Sequence, residues 1–118
     1  MTEIKPWAFV NGKSITNIHI PQTIQHISPT AFRGCSNLAS ITVDSNNSYY
    51  TTIDQMLVSK DLKEVVRGIN NDNISLNSVL SIDDYAFEGY NSLSSSISNL
   101  NSVEFIGTLA FAGCYNVP

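Results

Sequence analysis

Residues 15–38, ITNIHIPQTIQHISPTAFRGCSNL, change their apolar spacing partway along. Ile18 and Ile20 stand two apart, Ile24 and Ile27 three apart, and the stretch closes on Ala31-Phe32, Gly34 and Cys35. Alternation puts Ile18 and Ile20 on the inner face of a short strand and leaves Asn17 and His19 on the outer one. Pro21 lacks an amide donor and should end that strand. The Ile24-x-x-Ile27 step suits a tighter, opposing side, and Ala-Phe-x-Gly suits a turn of helix or 3₁₀ closed by glycine. The segment is therefore one complete coil: strand, opposing side, corner.

The same elements recur along the chain. Ala-Phe occurs at Ala8-Phe9, Ala31-Phe32, Ala86-Phe87 and Ala110-Phe111, at Ala-to-Ala intervals of 23, 55 and 24 residues. Ile15, Leu38, Leu93 and Val117 each follow a repeat alanine by seven residues, and Ile18 and Ile20 align with Ile41 and Val43. An apolar-x-x-Ile step precedes three of the corners, at Ile24 and Ile27, Val79 and Ile82, and Val103 and Ile106. A unit this short cannot cover its own apolar face, so neighbouring units must do it, which implies a solenoid. We expect one domain over 1–118, with regular repeats at about 8–43 and 74–118 and an irregular repeat at about 44–73. In that irregular stretch, turn clusters at Asn46-Asn47-Ser48 and Ser59-Lys60-Asp61 bracket β-favouring residues from Tyr49 to Val58. A β-hairpin inserted among the coils is expected there. Further on, Leu93 is followed by Ser94-Ser95-Ser96-Ile97 with its apolar steps one residue late, so a bulge or loosened strand is expected near Ser95.

The residues Ile15, Ile18, Ile20, Pro21, Ile24, Ile27, Ala31, Phe32 and Cys35 resemble, position by position, the repeat of the BspA-like leucine-rich repeats of bacterial and protozoan surface proteins. The run VDSNNSYYTTIDQMLVSKDLKEVV, residues 43–66, is similar to that family's irregular repeat, written N-x-x-Y, D-G-x-L, L-x-x-L, with Gln55 in place of the usual glycine. The resemblance implies a right-handed, β-rich leucine-rich-repeat solenoid of the α/β class with short helical or 3₁₀ corners. It also implies a cell-surface or secreted adhesion protein with a protein or glycan partner. A scaffold segment that assembles end to end without a ligand of its own is the alternative.

Bulk composition excludes several other functions. A chain of 118 residues can bury roughly 65% of its unfolded surface in its own core. Six basic against ten acidic residues give a net charge of −4, which disfavours a nucleic-acid partner. No apolar run approaches the length of a membrane span, and the N-terminal residues show no secretory signal. The chain carries no nucleophile elbow, no phosphate-binding glycine loop and no metal-type His or Cys spacing, so no catalytic residue, metal site or cofactor is expected. The acids Asp54, Asp61, Asp72, Asp83 and Asp84 sit among turn formers and are read as turn residues rather than a calcium loop. Cys35 and Cys114 occupy the same repeat position at least two coils apart, about 10 Å at strand spacing. That exceeds the roughly 7 Å a disulfide can bridge, and two free thiols are expected. Asn46 and Asn73 match glycosylation acceptors in form.

What remains is surface. The outward strand positions form a platform expected to include Asn17, His19, Ser40, Thr42, Ser96 and Ser98, small polar groups able to hydrogen-bond to protein or glycan. The outermost repeats lack polar caps, so the chain is expected to be part of a longer array or to associate end to end.

Overall fold

The computed structural model describes residues 3–5, 9, 12–70, 76, 78–90 and 102–114. Among the described residues there are nine short strands: β1 (Glu3–Ile4), β2 (Asn17–Ile20), β3 (His26–Ile27), β4 (Ser40–Val43), β5 (Tyr50–Ile53), β6 (Met56–Ser59), β7 (Glu64–Arg67), β8 (Ser81–Ile82) and β9 (Phe105–Ile106). β2 pairs with β4 in parallel, Asn17 opposite Ser40 and Ile20 opposite Val43. β1 pairs with β3 in parallel, Glu3 opposite His26. Both pairs are offset by 23 residues, the spacing between the first two Ala-Phe corners. A third sheet runs β5-β6-β7-β8-β9.

Alternation fixes which side faces in. Ile20 and Ile41 are buried, as are Ile24, Ile27, Val79 and Ile82 from the opposing side and Ala31, Phe32, Ala86 and Phe87 from the corners. Each such Ile or Phe removed from water stabilises the stack by about 1.5–3 kcal/mol. The corners also stack on one another. Phe9 lies parallel to Phe32 with ring centroids 5.5 Å apart, and Phe87 to Phe111 at 5.2 Å.

The corners are not helical, contrary to the sequence reading: among the described residues there is no helix, and Ala31–Gly34, Asp84–Gly89 and Thr108–Gly113 are successive turns. The hydrogen-bond pattern gives the reason. The amides of Ala86, Glu88 and Tyr90 bond locally, three residues back, whereas those of Tyr85, Phe87 and Gly89 donate to Thr108, Ala110 and Ala112 of the next coil. Half of the corner's donors are thus committed between coils, and a continuous helical ladder cannot form. Tyr85 and Leu109 accordingly hold positive φ, at 62° and 53°, and Gly34, Gly89 and Gly113 close the corners at φ of 77–82°. Glycine adopts that conformation without strain.

The irregular repeat opens with an antiparallel hairpin, β5 on β6, around Asp54-Gln55. Both turn residues have positive φ, 49° and 69°, as a type I′ turn requires, so Gln55 replaces glycine without changing that geometry. β6 then pairs antiparallel with β7, and β7 returns to the parallel arrangement with β8, Val65 opposite Ile82. The amide of Gly68 donates to Ala86 as Phe9 does to Ala31 and Phe87 to Ala110. Gly68 therefore occupies the phenylalanine position of its coil, with Arg67 in place of alanine, and the Phe87 ring fills the space a side chain there would need.

Candidate functional site

The outward positions of β2 and β4 form a polar row. The parallel register sets Asn17 beside Ser40 and His19 beside Thr42. The Ser40 hydroxyl donates to Asn17 Oδ1, and His19 Nδ1 lies 2.8 Å from Thr42 Oγ1. Asn17, His19 and Thr42 are exposed and Ser40 is half-buried. Four of the six expected residues are thus brought together as two cross-strand pairs, whereas Ser96 and Ser98 lie outside the described residues. So do Asn73, Ala8 of the first corner and the irregularity expected near Ser95. Asn46 is exposed in the turn after β4, its amide bonded to Asp44 Oδ1 at 2.8 Å.

Behind this row, the N-x-x-Y motif holds the hairpin to the coil before it. Asn47 is buried, and its Nδ2 donates to the Pro21 and Ile24 carbonyls at 2.9 and 3.0 Å. Its Oδ1 accepts the amides of Tyr49 and Tyr50 at 2.8 and 2.9 Å. The Tyr50 hydroxyl in turn accepts the Ile27 amide at 3.0 Å, standing where the next strand's carbonyl would be. At the hairpin tip the Gln55 carbonyl accepts the amide of Ile41 at 3.0 Å, so the edge of β4 is covered.

A second feature lies along β7, β8 and β9, where Glu64, Ser81 and Phe105 share one register row. Two adjoining clefts of about 330 and 320 Å³ share these three residues. Asp61, Lys63 and Glu104 line the first and Asp83 and Asp84 the second. Together they hold five of the ten acids of the chain against one lysine.

The interior beneath the corners holds a buried cation that sequence reasoning did not find. Arg67 Nη1 donates to the Tyr85 carbonyl and Nη2 to that of Cys35, its guanidinium sits 4.6 Å from the Tyr90 ring centroid, and its Nε has no partner among the described residues. Cys35 and Cys114 are free thiols that donate to the carbonyls of Phe9 and Phe87, and burial pushes both thiols up in pKa. Tyr90, in the cysteine position of its repeat, donates to the carbonyl of Gly68, the equivalent acceptor. On the surface Arg33 makes a two-point ion pair with Glu88, at 3.0 and 2.7 Å, and stacks on Tyr85, joining corners on either side of the irregular repeat. The signal for Asn47 and Tyr50 was present in N-x-x-Y. Nothing local marks Arg67 as buried.

A sequence model of the BspA type leucine rich repeat region matches the chain in six copies, over residues 1–76 and 63–118. No curated protein matches the chain. Among solved structures it is similar to the pneumococcal vaccine antigen PcpA (21% identity, TM-score 0.71, covering 85% of this chain and 25% of that one). It is also similar to a leucine-rich repeat protein of Eubacterium ventriosum (23% identity, TM-score 0.71, covering 85% and 28%). A third match is a leucine-rich cell surface protein of Faecalibacterium prausnitzii (30% identity, TM-score 0.65, covering 82% and 27%). The chain therefore spans about a quarter of the length of these proteins. The likeness establishes a strand-rich leucine-rich-repeat fold. Among the described residues no helix is long and apolar enough to cross a membrane.

Proposed function

Because the chain belongs to the BspA-type leucine-rich repeat family, we propose that it is a non-catalytic binding module, a right-handed solenoid that holds a protein or glycan partner against the outer face of β2 and β4. The single observation that carries this reading is the in-register pairing of Asn17 with Ser40 and of His19 with Thr42, which presents hydrogen-bonding groups at strand spacing. Cross-strand hydrogen bonds hold these side chains in place, so a partner would meet groups that lose little further freedom on binding. A surface or secreted location is supported by the relatives, one of which is described as a cell surface protein and another as a vaccine antigen.

The test replaces both members of one pair, His19→Arg with Thr42→Glu, so that a cross-strand ion pair takes the place of the hydrogen-bonded one. Against purified extracellular-matrix proteins and a glycan array, the wild type should retain at least one partner. The double variant should bind it about tenfold more weakly or worse, a loss of about 1.4 kcal/mol, with an unchanged melting temperature. Retained binding in the double variant would remove the face from the reading.

The scaffold alternative is favoured by one specific observation: among the described residues β9 pairs with β8 alone, and its Phe105 and Ile106 and the nearby Leu109 are 70%, 54% and 51% exposed. An open strand edge flanked by apolar side chains favours addition of another coil. Under this reading the mean mass in sedimentation rises with concentration and Phe105→Lys abolishes the rise; a strictly monomeric wild type counts against it.

A further inference from the structure

β7 and β8 lie parallel with Glu64 opposite Ser81, and the amide of Asp83 donates to the Val65 carbonyl at 2.9 Å. That register sets Asp83 two residues beyond Ser81, the partner of Glu64, on the same side of the sheet as Glu64. Both line one cleft, and two carboxylates so placed cannot both keep their charge without cost. Among the described residues no cation lines the cleft that holds both carboxyls, and Lys63 meets Glu64 only in the adjoining one. Asp84 adds a third acid from the turn after β8, and Tyr50 approaches from β5 as a neutral phenol held above its ordinary pKa, chiefly by burial. Pro29 and Phe105 line the cleft without charge, while Lys63 and Glu104 line the adjoining one instead.

We propose that Glu64 and Asp83 form a proton-dependent clamp between the irregular repeat and the coil that follows it: one shared proton ties β7 to β8, and its loss loosens that junction. Burial first, then the charge of Glu64 and its hydrogen bond, then Asp84, push the Asp83 carboxyl up to about 7. An unfolded aspartate titrates at about 3.9. A carboxyl raised in this way contributes its stability fully below the unfolded value and loses it as pH climbs through the folded one. The direction is the reverse of that for a salt-bridged carboxylate, so the clamp is tight in mild acid and slack above neutrality.

Thermal unfolding of the whole chain between about pH 5 and pH 8, with amide exchange at matched pH, tests this without any ligand, so its outcome is separate from that of the binding reading. The wild type should melt about 5 °C lower at the upper pH. Protection of the Asp83 amide should fall with it, while that of the β2 and β4 amides should not. In Asp83→Asn an amide donates in place of the carboxyl without titrating, so this variant should lose the pH slope; in Glu64→Gln the buried Asp83 still titrates without its like-charged neighbour, so the slope should shrink. Two variants are used so that one remains informative if the other fails to fold. A wild-type melting temperature that stays level or rises with pH, or variants that keep the wild-type slope, would overturn the clamp.

Discussion

Replacing Gly68 with alanine is expected to destabilise the protein by about 3 kcal/mol, at the upper end of what overpacking costs in a well-filled core. A Cβ on Gly68 would lie 2.0 Å from Phe87 Cε1 and 2.4 Å from its Cδ1. The ring has little room to retreat, because it is stacked on Phe111 and meets Tyr90 edge to face at 6.2 Å. The backbone cannot shift easily either, since Gly68 bonds to Ala86 through its amide and to the Tyr90 hydroxyl through its carbonyl, both at 2.8 Å. Urea unfolding of Gly68→Ala, Phe87→Ala and the double variant isolates the clash. With the ring gone, the added methyl should cost little, giving a large favourable coupling in the cycle. Additive losses would mean that Phe87 does not occupy the vacant phenylalanine position.

The second large effect is expected at Asn47. Both donors and both acceptor sites of its buried amide are used, so Asn47→Ala removes the side-chain partner of the Ile24 carbonyl and of the Tyr49 and Tyr50 amides and leaves the Pro21 carbonyl with only the Ile24 amide at 3.3 Å. A loss of about 3 kcal/mol follows from the cost of leaving several buried groups unmade. Asn47→Asp keeps the acceptors, removes the donors and buries a charge, so it should do no better. Tyr50→Phe removes one acceptor, that of the Ile27 amide, and should cost about 1–2 kcal/mol. Chemical denaturation of the three variants should therefore rank them with both Asn47 changes well below Tyr50→Phe.

The contrast between these residues shows what a sequence can and cannot reveal about this fold. The strand alternation at Ile18 and Ile20 and the 23-residue interval placed β2 beside β4 in the correct register, because side-chain period and repeat length are local quantities. Asn17, Ser40, His19 and Thr42 followed from the same arithmetic. The corner was harder: Ala-Phe-x-Gly correctly marked a glycine-closed turn, but whether its amides bond within the coil or to the next depends on stacking, and they alternate between the two. Arg67 could not be read as buried, since arginine is ordinarily exposed. Its position follows from a corner two residues shorter than its neighbours, which puts Arg67 and Gly68 where alanine and phenylalanine otherwise stand. The pairing of Glu64 with Asp83 has the same origin. β7 and β8 are offset by 17 residues (64 to 81) where β8 and β9 are offset by 24 (81 to 105), and no motif announces that shift.

Amide chemical-shift mapping of the labelled chain with the strongest binder from the matrix and glycan panel shows whether partners are held on the outer face of β2 and β4. The shifts should concentrate in Asn17–Ile20 and Ser40–Val43, with little change around Glu64, Asp83 and Phe105. Shifts confined to that acidic region or to the corners, with β2 and β4 undisturbed, would contradict it.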